Sequence, residues 1–262
     1  MFSQSKIAKL TAKSVFKNKW VKMLAIGTIL TFCILAIFPF FVLSYYYFSF
    51  SVTVAFITAF SLLWVAPVAL GTLRTLCREV ATGESEIMEI FYYFSSFYLY
   101  KKTITFLSVL IFKVCTVLII CLAPSFVLSF VNDASLQELA GFSLPIWLSG
   151  LHVLSSLFAV IGIVVSIFIN IRFFAAPFLF VSDDNCEVLE VLKNAVRLSK
   201  TGYLEFLSLM GSFVLWFLLS LFIFVLPFVL PYFFTCVIIL CRFTLYQYNK
   251  KCKRNTFEEV KV

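Results

Sequence analysis

From Met23 to Leu73 no side chain carries a charge, and the same holds from Phe206 to Cys241. Two shorter blocks repeat the pattern: between Thr103 and Asn132 the only charge is Lys113, and between Leu139 and Ile171 there is none. A helix needs about 20 apolar residues to cross a bilayer core, so each long block holds two spans and each shorter one holds a single span. Hydrocarbon offers no water to backbone N–H and C=O groups, which leaves helices as the solution for runs of this kind. The spacing predicts an all-α fold, a polytopic membrane helical bundle in one integral membrane domain. Its six transmembrane helices fall at about 23–44, 49–72, 106–130, 146–171, 206–226 and 229–248.

Composition agrees. Hydrophobic residues make up 62% of the chain and charged residues 13%, with a mean hydropathy of +1.04, against roughly 45–50% and 25% in soluble domains. Lysines ahead of the first apolar run imitate a secretory leader, but that run exceeds the roughly 7–15 residues of a leader core. It is read as the first helix. The 34 Phe residues suit lipid-facing and helix-packing positions. Cysteines stand at 33, 77, 115, 121, 186, 236, 241 and 252 without a CxxC pair, a spacing read as reduced apolar residues with no metal or cofactor.

Basic residues sit on alternate connections. The segments Ser44–Ser49 (with Tyr45, Tyr46 and Tyr47), Asn132–Pro145 and the break around Pro227 and Pro231 contain no Lys or Arg. Lys6, Lys9, Lys13, Lys17, Lys19 and Lys22 precede the first span; Arg74, Arg78, Lys101 and Lys102 follow the second. Arg172, Lys193, Arg197 and Lys200 follow the fourth, and Arg242 with Lys250, Lys251, Lys253, Arg254 and Lys261 closes the chain. Basic residues resist translocation, so this pattern predicts a plasma-membrane protein with both termini in the cytosol. It comprises a basic cytosolic helix over 1–22 and a cytosolic tail over 249–262. The net charge of +8 then follows from topology, and no nucleic-acid partner is implied.

Lys6, Lys9, Lys13 and Lys17 fall on one helical stripe, with Ile7, Leu10 and Ser14 beside it and Ala8, Thr11 and Val15 opposite. Two readings fit: a helix lying on the anionic inner leaflet, or lysines that only hold the N-terminus inside. Ile87, Ile90, Phe91 and Phe94 form a second apolar stripe, and Val188, Leu192, Ala195 and Ser199 a third. Glu190, Lys193, Arg197 and Lys200 occupy the polar face of that third helix, and Asp184 with Glu187 suits a cap at its start. Both segments are expected as surface or groove-docked helices. Arg74–Lys102 and Arg172–Lys200 are equal in length and alike in order, but their residues differ, which favours convergence over duplication.

Chemistry is sparse. His152 is the only histidine, and no GxxxxGK[ST], HExxH or GxSxG pattern occurs, so no enzyme is expected. Glu205 is the carboxylate nearest a span, at a basic-side boundary. Lys113 admits two placements, halfway through the membrane, where a charge costs several kcal/mol, or at the inner interface with its stem snorkelling. Candidate lipid-phosphate or pathway residues are Lys113, His152, Asn170, Arg172, Arg197, Lys200 and Arg242. One functional reading is a non-enzymatic protein binding anionic lipid headgroups, a protein partner or a second copy of itself. The other is a transporter or permease-like subunit with Lys113, His152, Asn170 and Arg172 along a path.

Several motifs carry a resemblance. Ala12-x-x-x-Phe16-x-Asn18-x-Trp20, Pro67-x-x-x-Gly71, Gly83-Glu84 and Phe91-x-x-Phe94 come first. Asp183, Ala195-x-x-x-Ser199-Lys200-x-Gly202, Phe206, Trp216, Pro231-Tyr232 and Tyr246 follow. Together the chain resembles a bacterial integral-membrane family known only as a domain of unknown function, number nine-seven-five, common in Firmicutes. The third span lacks the tryptophan typical near its start, and the Asn132–Pro145 connection is longer than the usual Pro-Gly turn. The resemblance implies fold and location, since that family has no agreed activity.

Overall fold

The computed structural model describes residues 4–39, 42, 50–131, 151–183 and 186–259. Among the described residues there is no strand, and six stretches are long and apolar enough to cross a membrane. They are Trp20–Pro39, Val52–Thr82, Phe97–Ser129, Val153–Ser182, Val188–Leu219 and Ile223–Asn249. The chain thus has the architecture of a multi-pass helical membrane protein. The expected Ser44–Ser49 and Asn132–Pro145 connections lie outside the described residues.

The helices are α1 (Gln4–Asn18), α2 (Trp20–Leu35), α3 (Phe50–Phe60), α4 (Ala66–Thr82), α5 (Phe97–Val131), α6 (Leu151–Asn170), α7 (Ala176–Ser182), α8 (Val188–Leu219) and α9 (Leu226–Glu259). A five-residue π-turn, Ser61–Val65, joins α3 to α4. Pro67 explains it: with no N–H, proline leaves the carbonyl of Leu63, four residues back, without its helical donor. The Tyr100 hydroxyl donates to that oxygen instead, at 3.0 Å. The second span therefore runs on to Thr82, ten residues past the expected end at 72, and carries Arg74, Arg78 and Glu79.

Three expectations change in detail. Ile87–Phe94 is a 3-10 helix, not an α-helix. Three residues per turn align Ile87, Ile90 and Tyr93, so Ile90 and Tyr93 are buried while Phe91 faces out. The helix expected at 188–200 and the fifth span are one unbroken helix, α8, with Leu192, Ala195 and Ser199 buried and Glu190, Lys193, Arg197 and Lys200 on its more open side. Glu187 stands at its N-cap position without a side-chain cap bond, and Asp184 lies outside the described residues. Finally, the break before the last span falls at residues 220–225, upstream of both prolines. Pro227 sits in the first turn of α9, where a missing N–H costs nothing.

Pro231 lies one turn further into α9 and deprives the Pro227 carbonyl of its donor. That freed oxygen meets Gly27 of α2: a Cβ at position 27 would stand 1.9 Å from it. Only glycine admits so close a backbone approach.

The chain forms two compact units, Met1–Ser108 with Phe173–Val262, and Val109–Arg172, the boundary falling within α5. In the first, α4 packs against α2, the 3-10 helix, α7 and α9, and α9 packs against α1, α2 and α8. Phe106 and Phe180 stack at 4.2 Å, and Tyr93 stacks on Phe180 at 5.9 Å. In the second unit, residues 109–131 of α5 pair with α6, and the contact is small and polar. Ser125 and Ser155 exchange hydroxyl-to-carbonyl bonds of 3.0 Å in both directions, and Gly162 lies against the Cys121 carbonyl.

Candidate functional site

The best-formed polar cluster surrounds Glu79, a residue with no part in the sequence-based expectations. Its side chain has 0% exposure, whereas those of Lys19 and Lys22 keep 37% and 24%. Lys19 Nζ donates to Glu79 Oε1 and Lys22 Nζ to Oε2. Ser85 Oγ adds a hydrogen bond to Oε2 of 2.7 Å.

Local structure builds this arrangement. Gly83 ends α4 in the left-handed region, φ 75°, and its N–H bonds the Glu79 carbonyl at 3.0 Å. The reversal brings Ser85 back beside Glu79 and presents carbonyls at a helix C-terminus, the negative end of the helix dipole. Lys19 also donates to Gly83 O and Lys22 to Ser85 O. Lys19 occupies the corner between α1 and α2, so the cluster clamps that corner onto the end of α4.

Two further contacts converge on the same end of α4. Arg242 Nη2 donates to Cys77 O at 2.9 Å, and Arg78 pairs with Glu89 of the 3-10 helix. Arg74, one turn earlier, lies over the Tyr92 ring at 3.7 Å. Chemically this is a framework. Both Glu79 oxygens already accept charge-assisted bonds, which leaves the carboxylate poorly placed to take a proton as a general base.

A second carboxylate holds the other end of α1. Glu205 Oε2 accepts the Ser5 backbone N–H at 3.0 Å, one of the donors a helix start leaves without a partner. Ser5, Ala8 and Ala12 are buried against α8 and α9. The Tyr232 hydroxyl donates to Lys9 O at 3.4 Å, Phe16 meets Tyr232 edge-on, and Lys9 Nζ lies 5.7 Å from the Phe213 ring centre. α1 is thus docked on protein along one face, with Lys6, Lys13 and Lys17 exposed on the other.

The residues singled out from sequence are distributed over α5, α6, the 3-10 turn Ile171–Phe173, α8 and α9. Lys113 is exposed on α5 and has no hydrogen-bond or ion-pair partner among the described residues. Asn170 donates from Nδ2 to Ser166 Oγ at 3.1 Å, while its Oδ1 is buried without a partner among the described residues. His152 belongs to α6, its side chain lying outside the described atoms, and Arg172 is exposed in the 3-10 turn Ile171–Phe173. Arg197 and Lys200 lie on the open side of α8, and Arg242 serves the framework around α4.

The thiols are free at 33, 77, 115, 121, 186, 236 and 241. Outside the spans, Cys186 donates to Asp183 Oδ2 at 2.9 Å. That bond, with partial burial and the nearby negative charge, pushes the thiol up to about 11. Against known proteins, no family model, curated protein or solved structure gives a match to this chain.

Proposed function

We propose that the chain is a non-enzymatic plasma-membrane protein, both termini in the cytosol, whose basic face binds anionic lipid headgroups. The observation that carries this reading is the docked state of α1. Ser5, Ala8 and Ala12 turn inward, while Lys6, Lys13 and Lys17, spaced by seven and four, share one outward line beside Leu10, which is 67% exposed. A lysine line flanked by exposed apolar side chains is the pattern of an interfacial helix. Here the protein holds that helix at both ends, through Glu205 and through Lys19 on Glu79. Lys193, Arg197 and Lys200 on the open side of α8 add charge to this reading. The motifs shared with the bacterial family support kinship in fold and location, and we propose that kinship without any activity attached.

The test replaces charge and leaves the clamp intact. Lys6→Gln, Lys13→Gln and Lys17→Gln together spare Lys19, which removal of the first twenty residues would not. Each surface cation near an anionic leaflet contributes about 1 kcal/mol, so three predict a loss of about two orders of magnitude in affinity for phosphatidylglycerol over phosphatidylcholine. Lipid counts on protein taken from mixed nanodiscs measure it. An unchanged ratio sinks the reading.

A further inference from the structure

We propose a second site, independent of the headgroup reading: an aromatic groove beside the π-turn that seats one acyl chain of a bilayer phospholipid. Phe60, Leu63 and Trp64 form one wall, and Phe94, Phe97 and Tyr100 the other, around a volume of about 520 Å³. That lies within the roughly 300–1,000 Å³ of small-ligand clefts.

The groove exists because of Pro67. Its missing N–H opens the π-turn, a distortion that recurs at functional sites, and the freed Leu63 carbonyl captures the Tyr100 hydroxyl. Tyr100 is thereby fixed as a wall. Phe94 bridges the two walls, its ring 5.5 Å from that of Trp64 and 5.5 Å from that of Tyr100.

The lining selects the ligand. Among the described residues no charged side chain borders the groove, and Tyr100 has committed its hydroxyl, which leaves Ser96 as the other polar side chain along it. An anion, a sugar or a charged peptide finds no counterpart there, because buried polar groups need partners. An unbranched hydrocarbon needs none.

The surroundings select the source. Both walls adjoin stretches fit to span a membrane, with mean hydropathies of 2.1 and 2.7. At the groove's mouth Leu63 is 46% exposed, Trp64 42% and Phe97 82%. Surface of this kind faces acyl chains, and Trp with Tyr marks the level at which those chains begin. A chain entering beside Phe97 lies against the Trp64 indole.

Trp64 reports on its occupant. In a protein carrying Trp20→Phe, Trp147→Phe and Trp216→Phe, Trp64 is the remaining indole, and vesicles of phosphatidylcholine with brominated chains quench it on contact. Ser96→Phe places a ring in the groove from an exposed position, and Ser96→Leu does the same with less bulk should the first variant not fold. The expected result is strong quenching that falls by at least half in the blocked variant. Mass spectrometry of detergent-extracted protein should show one retained phospholipid that the blocked variant lacks. Equal quenching in blocked and open protein overturns the proposal. So does absence of quenching, the sign of a neighbouring helix covering the groove, or retention of only detergent or free fatty acid.

Discussion

The two compact units solve the problem of burial differently. In the first, side chains far apart in sequence hold one another: Lys22 reaches Glu79 across 57 residues, Arg242 reaches Cys77 across 165, and Ser5 reaches Glu205 across 200. In the second, among the residues of 109–172 whose burial is described, only Gly162 and Ser166 are buried. Of the most apolar windows, 39% of the last span and 33% of the first are buried, against 11% for Phe97–Ser129 and for Val153–Ser182. The first unit shields its first and last spans with protein, while Val52–Thr82 and Val188–Leu219, 17% and 22% buried, stay more open. The second presents apolar surface for a bilayer to cover, and its helices meet through small and hydroxyl-bearing residues, since lipid removes the hydrophobic drive for association.

The contrast predicts a graded response to substitution, strongest at the clamp. Lys19→Met with Lys22→Met strands a fully buried carboxylate, which costs on the order of 3–5 kcal/mol. Thermal unfolding of protein in mild detergent should show a large fall in Tm, and restoring neutrality with Glu79→Gln on that background should recover part of it. No fall would mean that the first unit does not depend on its ion cluster.

Next comes Gly27→Ala, which forces a methyl group onto the Pro227 carbonyl, 1.9 Å away. Overpacking of this kind costs roughly 1–3 kcal/mol. Reverting the carbonyl's freedom with Pro231→Ala, which returns an N–H donor, tests whether the proline and the glycine act as a pair. A double variant no better than Gly27→Ala alone would separate them.

In the second unit the expected effect is smaller. Ser125→Ala with Ser155→Ala removes the reciprocal bonds between α5 and α6, and interhelical hydrogen bonds in membranes average about 0.6 kcal/mol. A loss as large as that at the clamp would erase the distinction between the units.

The smallest effect concerns pH, at the entrance to α8. Cys186 donates to Asp183 and its thiol is pushed up to about 11, so folding favours the protonated form. That contribution is complete below the ordinary thiol pKa of about 8.5 and fades as pH rises through 11. Alkylation of Cys186 should stay slow at neutral pH and rise with an apparent pKa near 11, while Asp183→Asn should bring the midpoint down. A midpoint at the ordinary value in the unaltered protein removes the bond from the solution structure.

How far the sequence could be read follows from which interactions are local. The charge-free blocks became the six long apolar helices, and the alternation of Leu192, Ala195 and Ser199 with Lys193, Arg197 and Lys200 reappears as the two faces of α8. The 3-10 register of Ile87–Phe94 escapes a stripe laid out with an α-helical period, which puts Phe91 inside and misses Tyr93. Pro227 and Pro231 mark the last break only loosely: the turn lies before them, and their effect falls on the carbonyls they leave free. Glu79 is inconspicuous in the residue order, since a carboxylate among Arg74, Arg78 and the following glutamates looks like ordinary solvated charge.

Solvent choice is what the residue order determined unaided: transfer from water to hydrocarbon sums over neighbouring residues, so a run of apolar side chains is sufficient to decide it. Which carboxylate is buried, which glycine meets a bare carbonyl and which face of α1 stays open were decided only when particular helices met. Those are pairwise energies between residues tens to hundreds of positions apart, and no local window of sequence contains both partners.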